Sequence, residues 1–296
     1  MELHHLRAFE VLAQELNFTR AAARLHLSQQ ALSAQVRELE RRTGTPLFER
    51  TTRSVTLTEA GRTLLQHVPG ILLSVGQALA ETRRAATAAS GPRLVVGLAG
   101  VSGLDLAAGV VRAFREAHPD VDLSLRNVGF GDASAGLASG DTDVALVWLP
   151  VPEGITAVAL TEDPRLAVLP VDHPLARHDE VAASDLADEP FVWIDEMDAR
   201  VRDYWTLADY RVGRPVRVGA RISGFEDSWA AVRAGLAVAA SPASTLATLP
   251  GADLVTRPVR GLTPAVLGVC RRTADDRALV HTFVDAAREA AGRAGG

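Results

Sequence analysis

The chain contains no lysine, only two tyrosines and two methionines, and a single cysteine. One cysteine cannot close an internal disulfide or build a cysteine-rich zinc site, which excludes the small stapled and metal-knit domains. Cys270 lies in the apolar run Val266-Leu267-Gly268-Val269-Cys270, so a buried strand thiol is expected there in preference to a redox sensor. No stretch of 18 or more apolar residues occurs, and Met1-Glu2-Leu3-His4-His5 lacks the basic-then-apolar plan of a signal peptide. A soluble, cytoplasmic protein with no membrane partner is therefore expected. The missing lysine leaves all 31 basic residues as arginine, which with abundant alanine points to a GC-rich genome and says little about chemistry.

The signatures of catalysis are also missing. There is no G-x-S-x-G elbow, no P-loop, no G-x-G-x-x-G after a strand and no H-E-x-x-H. His173 and His178 flank Pro174 in a loop-like stretch, which is too little for a metal centre. Neither an enzyme nor a cofactor is expected. No internal repeat is detectable.

What is present is mass and a polarity of charge. With 296 residues, 47% of them hydrophobic, the chain can bury more than one core, and a small domain plus one of about 200 residues is the natural division. Residues 1–90 carry 11 Arg and 8 Glu, net +3, whereas residues 91–296 carry 20 Arg and 28 acids, net −8, which together make the overall −5. A mildly basic head can approach a polyanion while the acidic body stays off it.

The head holds the most informative stretch, Asn17 to Arg50. Thr19 can cap a short helix over Arg20 to Leu25, His26-Leu27 makes a turn, and Ser28 caps a second helix. On that helix Leu32, Val36 and Leu39 form one stripe, while Gln30, Ser33, Ala34, Arg37 and Arg41 fall opposite. Gln29 and Gln30 occupy the first turn, where a recognition helix meets base edges; glutamine can bond adenine N6 and N7 together, and Arg37 and Arg41 can reach phosphates or guanine. Thr43-Gly44-Thr45-Pro46 then stops the helix, and two short strands flank a turn bearing Arg50 and Arg53, a wing with a cationic tip.

Residues 1 to about 65, LHHLRAFEVLAQELNFTRAAARLHLSQQALSAQVRELERRTGTPLFERTTRSVTLTEAG at their heart, closely resemble the N-terminal domain of LysR-type transcriptional regulators. The departures lie on the reading face: the family usually has Pro or Ser at the place of Gln30, and very often Arg or Lys at that of Ala34. The resemblance implies a winged helix-turn-helix over residues 1–58 that binds double-stranded DNA through Thr19, Arg20, Ser28, Gln29, Gln30, Ser33, Ala34, Arg37, Arg41, Arg50 and Arg53.

Residues 59–89 then form the linker helix, which in this family pairs antiparallel with its twin. Its apolar seam, Leu64, Leu65, Val68, Ile71, Leu72, Val75 and Leu79, is interrupted by Pro69-Gly70 and Gly76. A homodimer, assembling further to a homotetramer, is the expectation.

From Arg93 onward, apolar strand-like runs alternate with helical ones, a pattern of parallel sheet flanked by helices. Segments such as RLAVLPVDHPLARHDEVAASDLADEPFVW resemble the LysR effector-binding domain. The implied architecture over residues 90–296 is a periplasmic-binding-protein-like pair of α/β lobes. Lobe I spans about 93–163 and 264–296, and lobe II about 164–263.

Ligands of such sheets sit at strand ends near helix N-termini. Ser102 and Gly103, within Gly100-Val101-Ser102-Gly103, offer a seat for an anionic group of a small-molecule effector, although Ser102 can equally be a mere helix cap. Phe130, Trp148, Trp193 and Ser223 occupy matching strand ends; the two tryptophans serve either as ligand wall or as core. Arg200 and Arg202 start a helix nearby, where they can meet an anion or water.

Two rival readings belong to other classes. One is a solute-sensing protein whose head docks to protein; the other is an architectural DNA-binding protein without effector, for which an acidic two-lobe body is needless.

Overall fold

The computed structural model describes residues 2–51, 54–87, 91–99, 104–129, 131–195, 197–246 and 253–294. It divides into two compact units, Met1–Arg83 and Arg84–Gly296.

In the first unit α1 (Leu3–Glu15) buries Leu6, Phe9 and Leu12, while α3 (Gln29–Thr43) buries Leu32, Val36 and Leu39. Between them α2 (Phe18–Arg24) contributes only Ala21 and Ala22 to the buried core, so the helices approach closely. Its cap differs from expectation. Asn17, not Thr19, accepts the Arg20 amide at 3.0 Å, and the helix begins at Phe18. Both residue types cap, but starting at Phe18 lets that ring pack against the core. His26 takes the left-handed φ of 53° in the turn, and Ser28 caps α3 through the Ala31 amide at 3.1 Å. Gly44, at φ 72°, ends that helix where a side chain would be strained.

The wing pairs β1 (Phe48–Arg50) antiparallel with β2 (Val55–Leu57). Glu40 anchors it: one carboxylate oxygen accepts the Leu47 and Phe48 amides at 3.0 and 3.2 Å, and the other accepts Arg50 Nη2 at 2.6 Å. Thr58 caps α4 (Glu59–Thr87) through the Gly61 amide and donates back to the Pro46 carbonyl. A Cβ at Gly61 would overlap the Leu47 carbonyl oxygen, so the first turn of α4 needs glycine there. The α4 seam is divided. Leu64, Leu65, Val68 and Leu72 pack on the head's own core, whereas Ile71 and Leu79 stay exposed.

The second unit has two lobes. The first contains β3 (Arg93–Ala99), α5 (Leu104–Ala117), β4 (Asp122–Val128), β5 (Val144–Trp148) and β6 (Ile155–Asp163). The second contains β7 (Arg165–Pro170), β8 (Val181–Ala182), α6 (Ala183–Ala187), β9 (Phe191–Trp193), α7 (Ala199–Trp205), β10 (Val218–Arg221), α8 (Phe225–Arg233), β11 (Ala239–Pro242) and β12 (Leu254–Arg260). The chain then returns to the first lobe as β13 (Ala265–Arg272) and α9 (Ala278–Ala294).

Sheet order is β4-β3-β5-β13-β6 in the first lobe and β11-β7-β12-β8 in the second, with β9 and β10 as a separate parallel pair. The wholly parallel sheet expected from the alternation is corrected. Only β4, β3 and β5 run parallel in the first sheet; β13 is antiparallel to both β5 and β6, and β7 is antiparallel to β11 and β12. The returning strand enters the first sheet from the other lobe, which reverses its direction. After Asp132 the chain makes a run of turns, held by the Asp132 carboxylate, which accepts the Ser134 and Gly136 amides.

Both sheet faces are covered. Along β5, Val144 and Leu146 face α5 and α9, where Phe114 and Phe283 meet, while Ala145 and Val147 join Cys270 on the other face. Burial pushes the Cys270 thiol up to about 12, so it is protonated and unreactive at neutral pH.

At the end of this sheet where the central strand β5 begins, Arg272 and Arg277 share Asp275 and Asp143. Arg272 is 2% exposed and also donates to the Leu137 and Thr142 carbonyls. Burial alone would raise the Asp275 pKa, but hydrogen bonds and charge from Arg277 and Arg272 outweigh it and hold the group at about 2. A carboxylate depressed in the folded state stabilises above its unfolded pKa and loses that contribution as pH falls through the folded one.

The difference between 3.8 and about 2 corresponds to about 2 kcal/mol. Urea unfolding of Asp275→Asn should therefore show a loss of that order at pH 7, shrinking below pH 4 and gone near pH 2. A pH-independent difference would show that packing, not charge, holds the cluster.

Candidate nucleic-acid interface and ligand cavity

At 100° per residue, Gln29, Gln30, Ser33, Ala34, Arg37 and Arg41 share about 140° of the α3 surface, turned away from Leu32, Val36 and Leu39. All but Ser33, which is half-buried, are exposed. The two glutamines stand in the first turn, immediately after the Ser28 cap. Arg37 donates to the Ser33 carbonyl at 3.2 Å, so its guanidinium is held along the polar arc.

Other arginines expected at the interface are tied to the head's own acids. Arg41 makes a two-pronged pair with Glu38, at 2.6 and 2.8 Å, and its hydrogen bond draws the Glu38 pKa below the ordinary value. Arg20 pairs with Glu15 at 3.0 Å beside the exposed Thr19. Arg50 is bound to Glu40 and lies over the Phe18 ring at 5.0 Å, so it braces the wing against α2 and α3. Arg53 lies outside the described residues.

In the second unit a cavity of about 110 Å³ separates the two lobes. Trp148, at the carboxyl end of β5, and Val147 line it from the first lobe. From the second lobe come Trp205, Trp229, Ser228, Ser241 and Thr245, with Arg202 as the one charged residue of the described lining. Apart from Thr206, the rest of the described wall is apolar, as in sites that take small organic molecules.

Hydrogen-bond bookkeeping gives the polar groups definite characters. Trp148 is 9% exposed, and its indole N–H is buried with no partner among the described residues. Thr245 donates to the Pro242 carbonyl at 2.7 Å, so in its 2.9 Å contact with Ser241 the serine must be the donor. Ser241 thus turns only lone pairs toward other groups. Arg202 stacks on the Trp193 ring at 4.2 Å and reaches the Met197 carbonyl at 3.4 Å. Trp193 is therefore behind the arginine and outside the lining, its N–H bonded to Asp195, which also pairs with Arg221.

Ser223 is likewise placed elsewhere: it and Gly224 engage Asp227 in the N-terminal cap of α8. Ser102, Gly103 and Phe130 lie outside the described residues. His173 caps a 3-10 turn through the Leu175 amide. Of the expected effector residues that are described, the structure brings Trp148 to the cavity wall and neither Trp193 nor Ser223. Trp205, Trp229, Ser241 and Thr245 escaped the sequence reading, because an aromatic or hydroxyl residue within an apolar stretch carries no mark of facing a void.

Two buried arginines fix Trp205. Arg165 donates to the Tyr204 carbonyl at 3.2 Å and stacks on the Tyr204 ring at 4.1 Å, and Arg211 donates twice to the Thr206 carbonyl. Burial lowers the pKa of both arginines, more than nearby charges restore it in either case. Arg165 also binds Thr263, at 2.8 and 3.0 Å, and so ties the outgoing crossing between lobes to the returning one.

Comparison with known proteins agrees with this architecture. Residues 3–62 match the family described as bacterial regulatory helix-turn-helix protein, lysR family, and residues 88–292 match the LysR substrate binding domain. The chain is 37% identical over 196 residues to the uncharacterized HTH-type transcriptional regulator YnfL of Escherichia coli, and 39% identical over 197 residues to the Hca operon transcriptional activator HcaR of the same organism. Each alignment covers 66% of this chain and 66% of the relative, so the chain spans just under two thirds of their length. Among solved structures it resembles a hydrogen-peroxide-bound cysteine mutant of Corynebacterium glutamicum OxyR, with a TM-score of 0.53 and 25% identity over 99% of this chain and 96% of that one. No helix among the described residues is long and apolar enough to cross a membrane. With a helix-turn-helix head and a two-lobe α/β body that both match family descriptions covering most of its length, the chain belongs to the LysR family of bacterial regulatory proteins.

Proposed function

We propose that this chain is a LysR-type transcriptional regulator that works in the cytoplasm without catalysis, binding promoter DNA and answering to a small-molecule effector. Residues 1–58 bind DNA, 59–89 dimerise, and 90–296 hold the effector, with pairs of dimers bending the promoter. The observation that carries the reading is the exposed polar arc of α3, which presents Gln29, Gln30, Ser33 and Arg37 in the arrangement a recognition helix needs. The inter-lobe cavity supports the effector role, and the buried, protonated Cys270 supports a ligand over an oxidant as the signal. Ala34 and Arg41 share the arc, Thr19, Arg20 and Ser28 flank it, and Arg50 and Arg53 are assigned to DNA contact from the sequence.

A Gln30→Ala protein should lose about 1 to 3 kcal/mol of discrimination at one base pair, and Arg37→Gln should weaken all sequences alike and lower the salt slope by about one. Fluorescence anisotropy with a panel of operator fragments at several salt concentrations measures both. If neither variant changes DNA binding, the head docks to something other than DNA.

The divided seam of α4 separates two effects that a uniform seam would merge. Leu79→Glu removes an exposed apolar contact and should yield monomers with an unchanged thermal melt of the head. Leu72→Glu, which places a charge against the head's own core, should also lower that melt. Light scattering that finds an intact Leu79→Glu dimer would place the interface elsewhere.

A further inference from the structure

In the last turns of α3 two arginines share one acid. We propose that Glu38 limits how strongly the head holds DNA of any sequence, by keeping Arg41 and Arg42 on its carboxylate and off the phosphate backbone. This goes beyond the reading of α3 as the DNA-reading helix and rests on it.

The contacts are close. Arg41 donates from Nε and Nη2 to the two oxygens of Glu38, at 2.8 and 2.6 Å, and Arg42 Nε donates to one of the same oxygens at 2.6 Å. Around the helix Glu38 falls about 60° from Arg41 and about 40° from Arg42, so it stands between them at the border of the polar arc. The hydrogen bond from Arg41 draws the Glu38 pKa below its ordinary value, so the negative charge is in place at neutral pH.

Position along the helix decides what these cations would meet. From Gln30 to Arg41 the helix advances roughly 16 Å, more than the width of the major groove, about 12 Å. With the first turn on base edges, Arg41 is level with the phosphates at the rim. A contact there holds every sequence alike.

Folding does not account for the cluster. The Arg41 and Arg42 side chains are 70% and 42% exposed, and exposed ion pairs contribute little stability. Glu40 accepts two wing amides and Arg50, whereas Glu38 accepts only from these two arginines among the described residues. Its effect is on charge. Without it, Arg37, Arg41 and Arg42 would face Glu40 alone, and Glu40 is already engaged by the wing.

The test is fluorescence anisotropy of the full chain with a labelled duplex of scrambled sequence over a range of salt concentrations. Glu38→Gln should tighten binding by about 5-fold or more at about 0.1 M salt, and steepen the salt slope by about 0.9 for each arginine that reaches a phosphate. Glu81→Gln removes the same charge from an exposed site about 33 Å along α4 from its first residue, about three Debye lengths at that salt, and should leave both nearly unchanged. In an Arg41→Gln/Arg42→Gln background, Glu38→Gln should do no more than that control. Glutamine matches glutamate in helix propensity, so the thermal melt of Glu38→Gln should stay where it is.

An unchanged affinity and slope in Glu38→Gln, or a gain equalled by Glu81→Gln, overturns the proposal. A gain that survives the loss of both arginines also overturns it, since the carboxylate would then act by its own repulsion of DNA. A melt lowered by several degrees would make the cluster structural. If neither the wild type nor Glu38→Gln binds the duplex at the lowest salt, the reading of α3 as a DNA-reading helix falls as well; wild-type binding that Glu38→Gln leaves unaltered overturns the restraint alone.

Discussion

The second unit depends on one buried cation. Arg165 is 4% exposed and has no carboxylate partner among the described residues, yet it cannot shed its proton. Its charge is met by the Thr263 carbonyl and hydroxyl, the Tyr204 carbonyl and the faces of Tyr204 and Trp205. Those partners come from the returning crossing and from α7, while Arg165 itself stands on the outgoing one. Parting the lobes at this point would require several of these contacts to be replaced by water together, so Arg165 fastens the two crossings to each other. Trp205 lines the cavity between Tyr204 and Thr206, each held by a buried arginine, so the cavity wall is continuous with the segment that Arg165 joins to the crossings.

In the head, a carboxylate has the corresponding part. Glu40 leaves the last turns of α3 to accept two wing amides and the Arg50 guanidinium, so helix and wing move as one piece. The same pairing explains why basic residues in the head are not all available to a polyanion. Glu15, Glu38 and Glu40 hold Arg20, Arg24, Arg41, Arg42 and Arg50, which leaves Arg37 on the polar arc as the cation with no such pair among the described residues. The more exposed of these pairs, Arg41 and Arg42 with Glu38, contribute little stability. Arg50 is held further by its contact with the Phe18 ring.

Some of this was legible in the sequence. Leu32, Val36 and Leu39 recur at helical spacing, and Ser28 precedes them, so the buried stripe of α3 and its polar arc follow from local geometry alone. The two-lobe body followed from resemblance and alternation, and the apolar run at Cys270 announced its burial. Local rules failed where two choices were nearly equal, as at the Asn17 and Thr19 caps, and where partners are far apart in sequence. Strands β6 and β12 are half-buried and mix apolar with charged residues, so their period is weak; they are strands because β13 and β7 pair with them.

The sequence by itself determined the secondary-structure periods, the basic head and acidic body, and the face of α3 that is free to read a partner. Those are properties of residues within one or two turns of each other. Tertiary structure alone decided that Arg50 is a brace, that Trp193 stands behind Arg202, and that Trp148 shares a void with Trp205 and Trp229. The reason is physical: a pairing such as Arg165 with Thr263 spans 98 positions, and nothing in local spacing tells an arginine which distant carbonyl will neutralise it.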